Sequence, residues 1–235
     1  GNAAAHHAQA GSLLALVQWI ARETGAAFGY LTEAANTVGA QFVGAQPRQG
    51  GLNAAQMLAG QVKALLLLNT EPEFDTAAGA NAAQGLADVD MVVTLSPFKT
   101  NMDVSDVLLP VAPFTETSGS FVNAEGRVQS FHAVVRPLGE TRPAWKVLRV
   151  LANIMDLPGI EFESSQDVLA QITADATQLT AEQLSNATKA AVIVAQGPAA
   201  TPVVASIYQL DGLVRRAPAL QLTADARAAR EGVVA

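Results

Sequence analysis

Histidines are the first residues to consider for metal binding or acid–base catalysis, and the sequence has three of them, His6, His7 and His132. His6 and His7 stand in an Ala-rich stretch, and no third ligand follows them at the spacing of a zinc site. We therefore expect residues 1–10, which include both of these histidines, to form a solvated loop, and His132 to be a surface or packing residue. The sequence predicts neither a metal site nor a catalytic residue.

Three acids, Glu71, Glu73 and Asp75, lie close enough in sequence to suggest a pair of catalytic carboxylates. They also suit a solvated turn at the N-terminus of a helix, where the helix dipole favours acids, and we prefer that interpretation. Cysteine is absent, which excludes a thiol nucleophile and cysteine-ligated iron–sulfur clusters within the chain. The sequence contains no P-loop and no G-x-S-x-G motif, and residues 39–44 do not match the dinucleotide fingerprint.

Apolar segments alternating with a helical pattern indicate an α/β fold with a doubly wound, mostly parallel sheet. The unbroken apolar run within 62–69 predicts a strand buried on both faces of that sheet. An Ala-rich helix is predicted at 76–87, and 37–51 and 70–73 are predicted to be loop and turn. Further strands are predicted at 26–31, 91–95 and 107–110.

The carboxyl ends of the predicted strands are the places where a ligand would bind in an open α/β sheet. Here they are followed by residues 69–72, 96–99 and 110–116. If a nucleotide-like ligand bound, backbone N–H groups and Lys99 would contact its phosphates.

Turn and cap signals predict the remaining elements. Residues 118–131 suit a β-hairpin that turns at 124–126, and Pro143 suits the start of a helix. Helix caps are predicted at Ser12, Asn53, Ser164 and Thr180. We divide the chain into a partial α/β domain at 1–157 and, at 158–235, a helical extension with a linker at 197–202, a short ordered piece at 207–213 and a frayed tail.

Composition limits the classes of partner. Half of the 235 residues are hydrophobic and the formal net charge is −7, which suits a globular core and disfavours nucleic-acid binding. No apolar run approaches the roughly 18–20 residues that a membrane span requires. The first residue is Gly1 and not Met, so we expect a fragment or a processed product.

The segment from Ser105 to Gln129 closely resembles the pattern of the molybdopterin oxidoreductases. Ten positions of that pattern occur with the correct gaps: Asp106, Leu109, Pro110, Glu116, Gly119, Asn123, Glu125, Gly126, Arg127 and Gln129. Within the family, several stretches are similar to the carboxy-terminal region of the large iron–sulfur subunit of NADH:quinone oxidoreductase, respiratory complex I: 33–40, 65–74, 111–117, 139–148 and 214–221.

This resemblance implies a structural and assembly role in the peripheral arm of complex I, which carries electrons from NADH to quinone. The implied partners are other peripheral-arm subunits, and the implied location is the cytoplasmic side of a bacterial inner membrane. Iron–sulfur clusters would belong to the amino-terminal region of the full subunit. We expect this chain alone to be non-catalytic.

The sequence departs from the molybdenum enzymes it resembles at one loop. They often carry Gly-Glu-Asn-Pro after the strand matched by 65–68, where it contacts the pterin nucleotide. Here the stretch is Asn69 to Pro72, in which Glu71 replaces an amide with a carboxylate that would repel a diphosphate. We therefore expect no cofactor in this chain and a degenerate nucleotide loop, whose candidate residues are Asn69, Thr70, Glu71, Ser96, Lys99 and Glu116.

Two alternatives remain open. The chain could be part of an active, formate dehydrogenase-like molybdopterin oxidoreductase, or a nucleotide-binding module that uses the sheet-end loops.

Overall fold

The structure, a computed structural model, describes residues 2–5, 7, 9–32, 34–174, 177–193 and 205–230. The chain divides into two compact units, one formed by residues 34–184 and the other by residues 1–33 together with 185–235. The domain division expected at residue 157 stays a prediction.

A three-stranded parallel sheet lies within residues 34–184. Its strands are β1 (Ala64–Leu68), β2 (Met91–Ser96) and β3 (Val107–Pro110), in the order β1-β2-β3. Both pairs are parallel, with Leu68 opposite Leu95 and Leu95 opposite Leu109. The three strands and their parallel pairing are confirmed, and the doubly wound arrangement stays a prediction.

The two faces of β1 differ in burial. Leu67, with Val92 of β2, points into a core cluster with Leu86 and Val89. On the opposite face of β1, Leu66 is 41% exposed and Leu68 is 38% exposed, although their neighbour Leu95 in β2 is fully buried. The prediction that β1 is buried on both faces is therefore wrong, because an apolar run makes both faces suitable for burial but cannot supply an element to cover each of them.

Short helices connect and cover the strands: α3 (Thr37–Phe42), α4 (Ala54–Leu58), α5 (Pro72–Asp75), a 3-10 turn (Gly79–Asn81) and α6 (Ala82–Ala87). The cap at Asn53 is confirmed, since its side chain accepts from the backbone N–H of Gln56 at 2.9 Å. The loop predicted at 37–51 is wrong over its first residues, which form α3. The turn predicted at 70–73 overlaps the start of α5. The single helix predicted at 76–87 is instead a 3-10 turn followed by α6. No helix separates β2 from β3, where all of 97–106 is described.

The predicted hairpin is confirmed as β4 (Gly119–Val122) paired with β5 (Val128–Phe131). In its turn the Asn123 side-chain oxygen accepts from the backbone N–H of Arg127 at 2.9 Å. The hairpin is tied to residues 177–179 through main-chain groups: the Leu179 N–H donates to the Gly126 carbonyl at 2.8 Å.

Two helices follow the hairpin, α7 (Ala144–Ile154) and α8 (Ser165–Thr173). Pro143 precedes α7, as predicted, and Ser164 caps α8. The helix predicted after Thr180 is wrong: the reciprocal bonds between Thr180 and Gln183 form, but the described residues 181–184 make a single turn.

The other unit contains α1 (Asn2–Ala5) and α2 (Ala10–Thr24), where a loop was expected over 1–10. Gly25 ends α2 with φ of 71°. The predicted cap Ser12 lies inside the helix and accepts from the Ile193 N–H at 2.6 Å, so the cap prediction is wrong. The strand predicted at 26–31 is wrong as well, since those residues form neither helix nor strand.

Short elements occupy the described part of 205–230, where a frayed tail was expected after 213: α9 (Ile207–Leu210), a 3-10 turn (Val214–Arg216), α10 (Pro218–Gln221) and α11 (Ala224–Arg230). The linker predicted at 197–202 lies outside the described residues. Among the helices described, none is long and apolar enough to cross a membrane.

Candidate functional site at the carboxyl end of the parallel sheet

The carboxyl ends of β1 and β2 bring two of the predicted candidate segments together. Asn69 follows β1 directly, and its backbone N–H donates to the carbonyl of Leu95 in β2 at 2.9 Å. Its φ of 51° lies in the left-handed region, which Asn tolerates better than most residues. The chain therefore turns sharply after β1, beside Ser96 at the end of β2.

The loop after β1 is closed by its own polar groups. The Thr70 hydroxyl donates to the Leu68 carbonyl at 3.1 Å, and the Glu71 backbone N–H donates to Asp75 Oδ2 at 2.7 Å. Asp75 thus satisfies a backbone donor at the start of α5, as acids at helix N-termini do. Glu71 itself is buried, with 7% of its surface exposed, so the solvated turn expected for these acids is wrong at Glu71.

At the end of β2, Ser96 and Lys99 lie in different environments. Ser96 is 4% exposed, and its Oγ accepts from the Phe98 backbone N–H at 3.1 Å. Lys99 is exposed. The serine is thus buried, and of the two only the lysine presents its side chain to solvent.

Glu116 lies apart from the β1 and β2 candidates. It ends a 3-10 turn (Phe114–Glu116), and its Oε2 accepts from the Leu138 backbone N–H at 3.0 Å. It lines a cavity of about 480 Å³ together with Arg142, Lys146 and Glu163, and no candidate from β1 or β2 lines that cavity.

A second cavity, of about 420 Å³, is mostly apolar. It lies between α3, the hairpin and α8, and its lining includes Val43, Val122, Trp145, Leu169 and Ile172. None of the candidate residues at the sheet end lines it, so of the six candidates only Glu116 lines either of these two cavities.

Sequence reasoning missed Asn101, which joins the two sheet-end loops. Its side-chain Nδ2 donates to the Thr70 carbonyl at 2.9 Å and lies 3.4 Å from Thr94 Oγ1. Thr94 is fully buried, and its hydroxyl is 2.7 Å from Ser105 Oγ. A lone Asn in a turn carries no sequence signal for such a contact, because its partners are 31 and 7 residues away.

Asp167, which lies away from the carboxyl end of the sheet, has a lowered pKa. Asp167 accepts from the backbone N–H groups of Ser164 and Glu163 at 2.8 and 3.0 Å. Hydrogen bonds from the side chain and backbone of Ser164, and then from the Glu163 backbone, lower the pKa of Asp167 below its ordinary value of 3.8. This shift belongs to the cap of α8 and not to a catalytic site.

The histidines do not assemble into a site within the described chain. His132 is exposed, His7 Nδ1 accepts from the Gln9 backbone N–H at 3.0 Å, and His6 lies outside the described residues. Across the residues that the structure describes, no three His, Asp or Glu side chains group as metal ligands.

The parallel sheet and the motif that follows it define a class of protein. Residues 1–154 match the family described as molybdopterin oxidoreductase. That match covers more than half of the 235 residues, and the chain belongs to the molybdopterin oxidoreductase family.

Relatives within that class carry different names. A nitrate reductase of Shewanella frigidimarina is 28% identical over 132 residues, which are 54% of this chain and 14% of that protein. The mitochondrial 78 kDa subunit of NADH-ubiquinone oxidoreductase of Candida albicans is 30% identical over 131 residues, 49% of this chain and 18% of that subunit. A putative formate dehydrogenase of Staphylococcus aureus is 37% identical over 67 residues, 28% of this chain and 7% of that protein. The chain thus spans less than a fifth of each of these relatives.

Proposed function

We propose that this chain is the carboxy-terminal structural and assembly region of the large iron–sulfur subunit of an NADH:quinone oxidoreductase, in the peripheral arm of respiratory complex I. In this role its partners are other peripheral-arm subunits, and it lies on the cytoplasmic side of a bacterial inner membrane. The similarity to a 78 kDa NADH-ubiquinone oxidoreductase subunit supports the choice within the family.

The proposal rests on the chemistry and burial of the residues that follow β1 and β2 at the carboxyl end of the sheet. A pterin nucleotide bears a diphosphate, and its loop would need donors that are free to bind it. Here the loop after β1 holds the buried Glu71, and Ser96 at the end of β2 is only 4% exposed. A carboxylate opposes a diphosphate electrostatically, so these residues do not fit the cofactor.

The absence of cysteine supports the same conclusion about redox chemistry. Iron–sulfur clusters need thiolate ligands, so electron transfer through the complex would depend on other regions of the full subunit. The residues of this chain would contribute shape and contact surface.

The test is to purify the full gene product from its native membranes and to measure its partners, molybdenum and pterin. We expect it to co-purify with the NADH-oxidising subunits of the complex and to contain no stoichiometric molybdenum or pterin bound at the β1–β2 sheet end. Stoichiometric molybdopterin that is lost on substitution of residues 69–71 would contradict the proposal.

An active molybdopterin oxidoreductase is the second candidate, and the similarity to a nitrate reductase and to a formate dehydrogenase-like protein favours it. That function needs a metal ligand outside this chain. The same purification separates the two, because an active enzyme of this kind would carry molybdenum and reduce or oxidise its substrate without the complex I subunits.

A nucleotide-binding module is a third possibility that rests on the sheet-end loops. A thermal-shift measurement with nucleoside mono- and diphosphates tests it, since a ligand that binds only the folded state raises the unfolding temperature. We expect no shift from any of them.

A further inference from the structure

The connection between β2 and β3, residues 97–106, is shorter than the crossover of about a dozen residues that parallel strands usually need. We call it the strap. Its Val104 packs against the core cluster around Leu67 and Val92, so the strap lies on the covered face of the sheet.

The strap is held to β2 near its end. Thr94 Oγ1 in β2 is 2.7 Å from Ser105 Oγ, and the backbone N–H of Val92 donates to Asp106 Oδ2 at 2.7 Å. Thr94 is fully buried, so its hydroxyl needs the Ser105 hydroxyl as a partner to avoid an unsatisfied group in the core.

Asn101 makes the contact that reaches beyond β2. Its Nδ2 donates to the carbonyl of Thr70, in the loop after β1, at 2.9 Å. Asn101 adopts φ of 54°, a conformation in which Asn is several-fold enriched among non-glycine residues. Its own carbonyl accepts from the Val104 and Ser105 N–H groups at 3.2 and 3.0 Å.

From these contacts we infer that Asn101 is a latch, whose side-chain amide fastens the strap to the loop after β1 and closes the carboxyl end of the sheet. Ligands of open α/β sheets bind at that end, and the latch holds the loop after β1 against the strap there. The latch is a property of the described contacts and does not depend on which assembly the chain joins.

Hydrogen–deuterium exchange of the strap tests the latch. Asn101→Asp keeps the size and the tolerance of positive φ but replaces the donating amide with a carboxylate. Asn101→Gly keeps the backbone conformation and removes the side chain. We expect both variants to speed exchange of the Val104 and Ser105 amides about two- to tenfold, as loss of one hydrogen bond implies, and to leave the amides of α7 unchanged.

Met102→Ala is the matched control, because Met102 is the next residue in the strap and its side chain is 60% exposed. In this variant the Val104 and Ser105 amides should exchange at the same rate as in the unsubstituted protein. The latch is refuted if Asn101→Gly and Asn101→Asp both exchange at the unsubstituted rate, or if Met102→Ala speeds the strap as much as they do. A cofactor or other partners in the purified complex would contradict the proposed function. They would not alter the comparison of strap exchange rates between the Asn101 and Met102 variants.

Discussion

Gly126 is a residue of the family motif whose role is structural. It adopts φ of 81° in the hairpin turn, and its carbonyl accepts from the Leu179 N–H at 2.8 Å. A Cβ at this position would lie 2.6 Å from Leu184 Cδ1 and 3.1 Å from Leu179 Cβ. Glycine therefore suits this position of the motif through both backbone conformation and close packing.

Gly126→Ala should lower the free energy of unfolding by about 2–4 kcal/mol, because it combines left-handed strain with overpacking. Gly159→Ala is the control: Gly159 has φ of 78°, but nothing lies within 4 Å of its Cβ position, so strain alone should cost about 1 kcal/mol. Urea denaturation followed by circular dichroism measures both. Equal losses in the two variants would show that packing around Gly126 does not matter.

At the scale of the element, β1 presents two different faces to its surroundings. Leu67 is 7% exposed and belongs to the core cluster, whereas its neighbour Leu66 is 41% exposed. Side chains alternate between the two faces of a strand. Adjacent leucines of the same apolar run therefore contribute unequally to the free energy of unfolding.

Substitution of these two leucines by lysine tests that alternation. Leu67→Lys should cost about 3 kcal/mol or more, because it places a charge in the core without a partner. Leu66→Lys should cost about 1 kcal/mol or less, since the ammonium can reach water. Chemical denaturation of each variant provides the comparison, and similar losses would contradict the assignment of the faces.

At the scale of the whole molecule, charge restricts the partners that the chain can bind. Acidic residues number 21 against 14 Lys and Arg, which gives the formal net charge of −7. Nucleic-acid affinity rests largely on neutralisation of phosphates by basic residues, and this balance opposes it. The charge suits protein partners better than polyanions.

The protein should therefore leave the fluorescence anisotropy of labelled single- and double-stranded DNA unchanged at about 10 µM and physiological salt, a concentration at which non-specific binders often show association. The same titration at low salt serves as the control for weak electrostatic attraction. Binding whose affinity falls steeply with added salt would show that basic residues are concentrated on one surface despite the negative total.

Local sequence signals located the elements whose residue patterns are themselves local. The strands at 64–68, 91–96 and 107–110 were predictable from their apolar runs, and the caps at Asn53 and Ser164 and the hairpin turn from residues a few positions away. The pairing partners of the parallel strands lie far apart in sequence. Family membership was predictable for a related reason, since the motif from Asp106 to Gln129 has fixed spacing.

Only the tertiary structure decided the features that depend on distant partners. The exposed face of β1, the helical position of Ser12 beside Ile193 and the contact of Asn101 with Thr70 all pair residues that lie far apart in sequence. Burial and long-range hydrogen bonds are properties of what packs against a residue and not of its type. For that reason the sequence alone located the candidate loops at the sheet end, and the fold determined that their polar groups bond to one another.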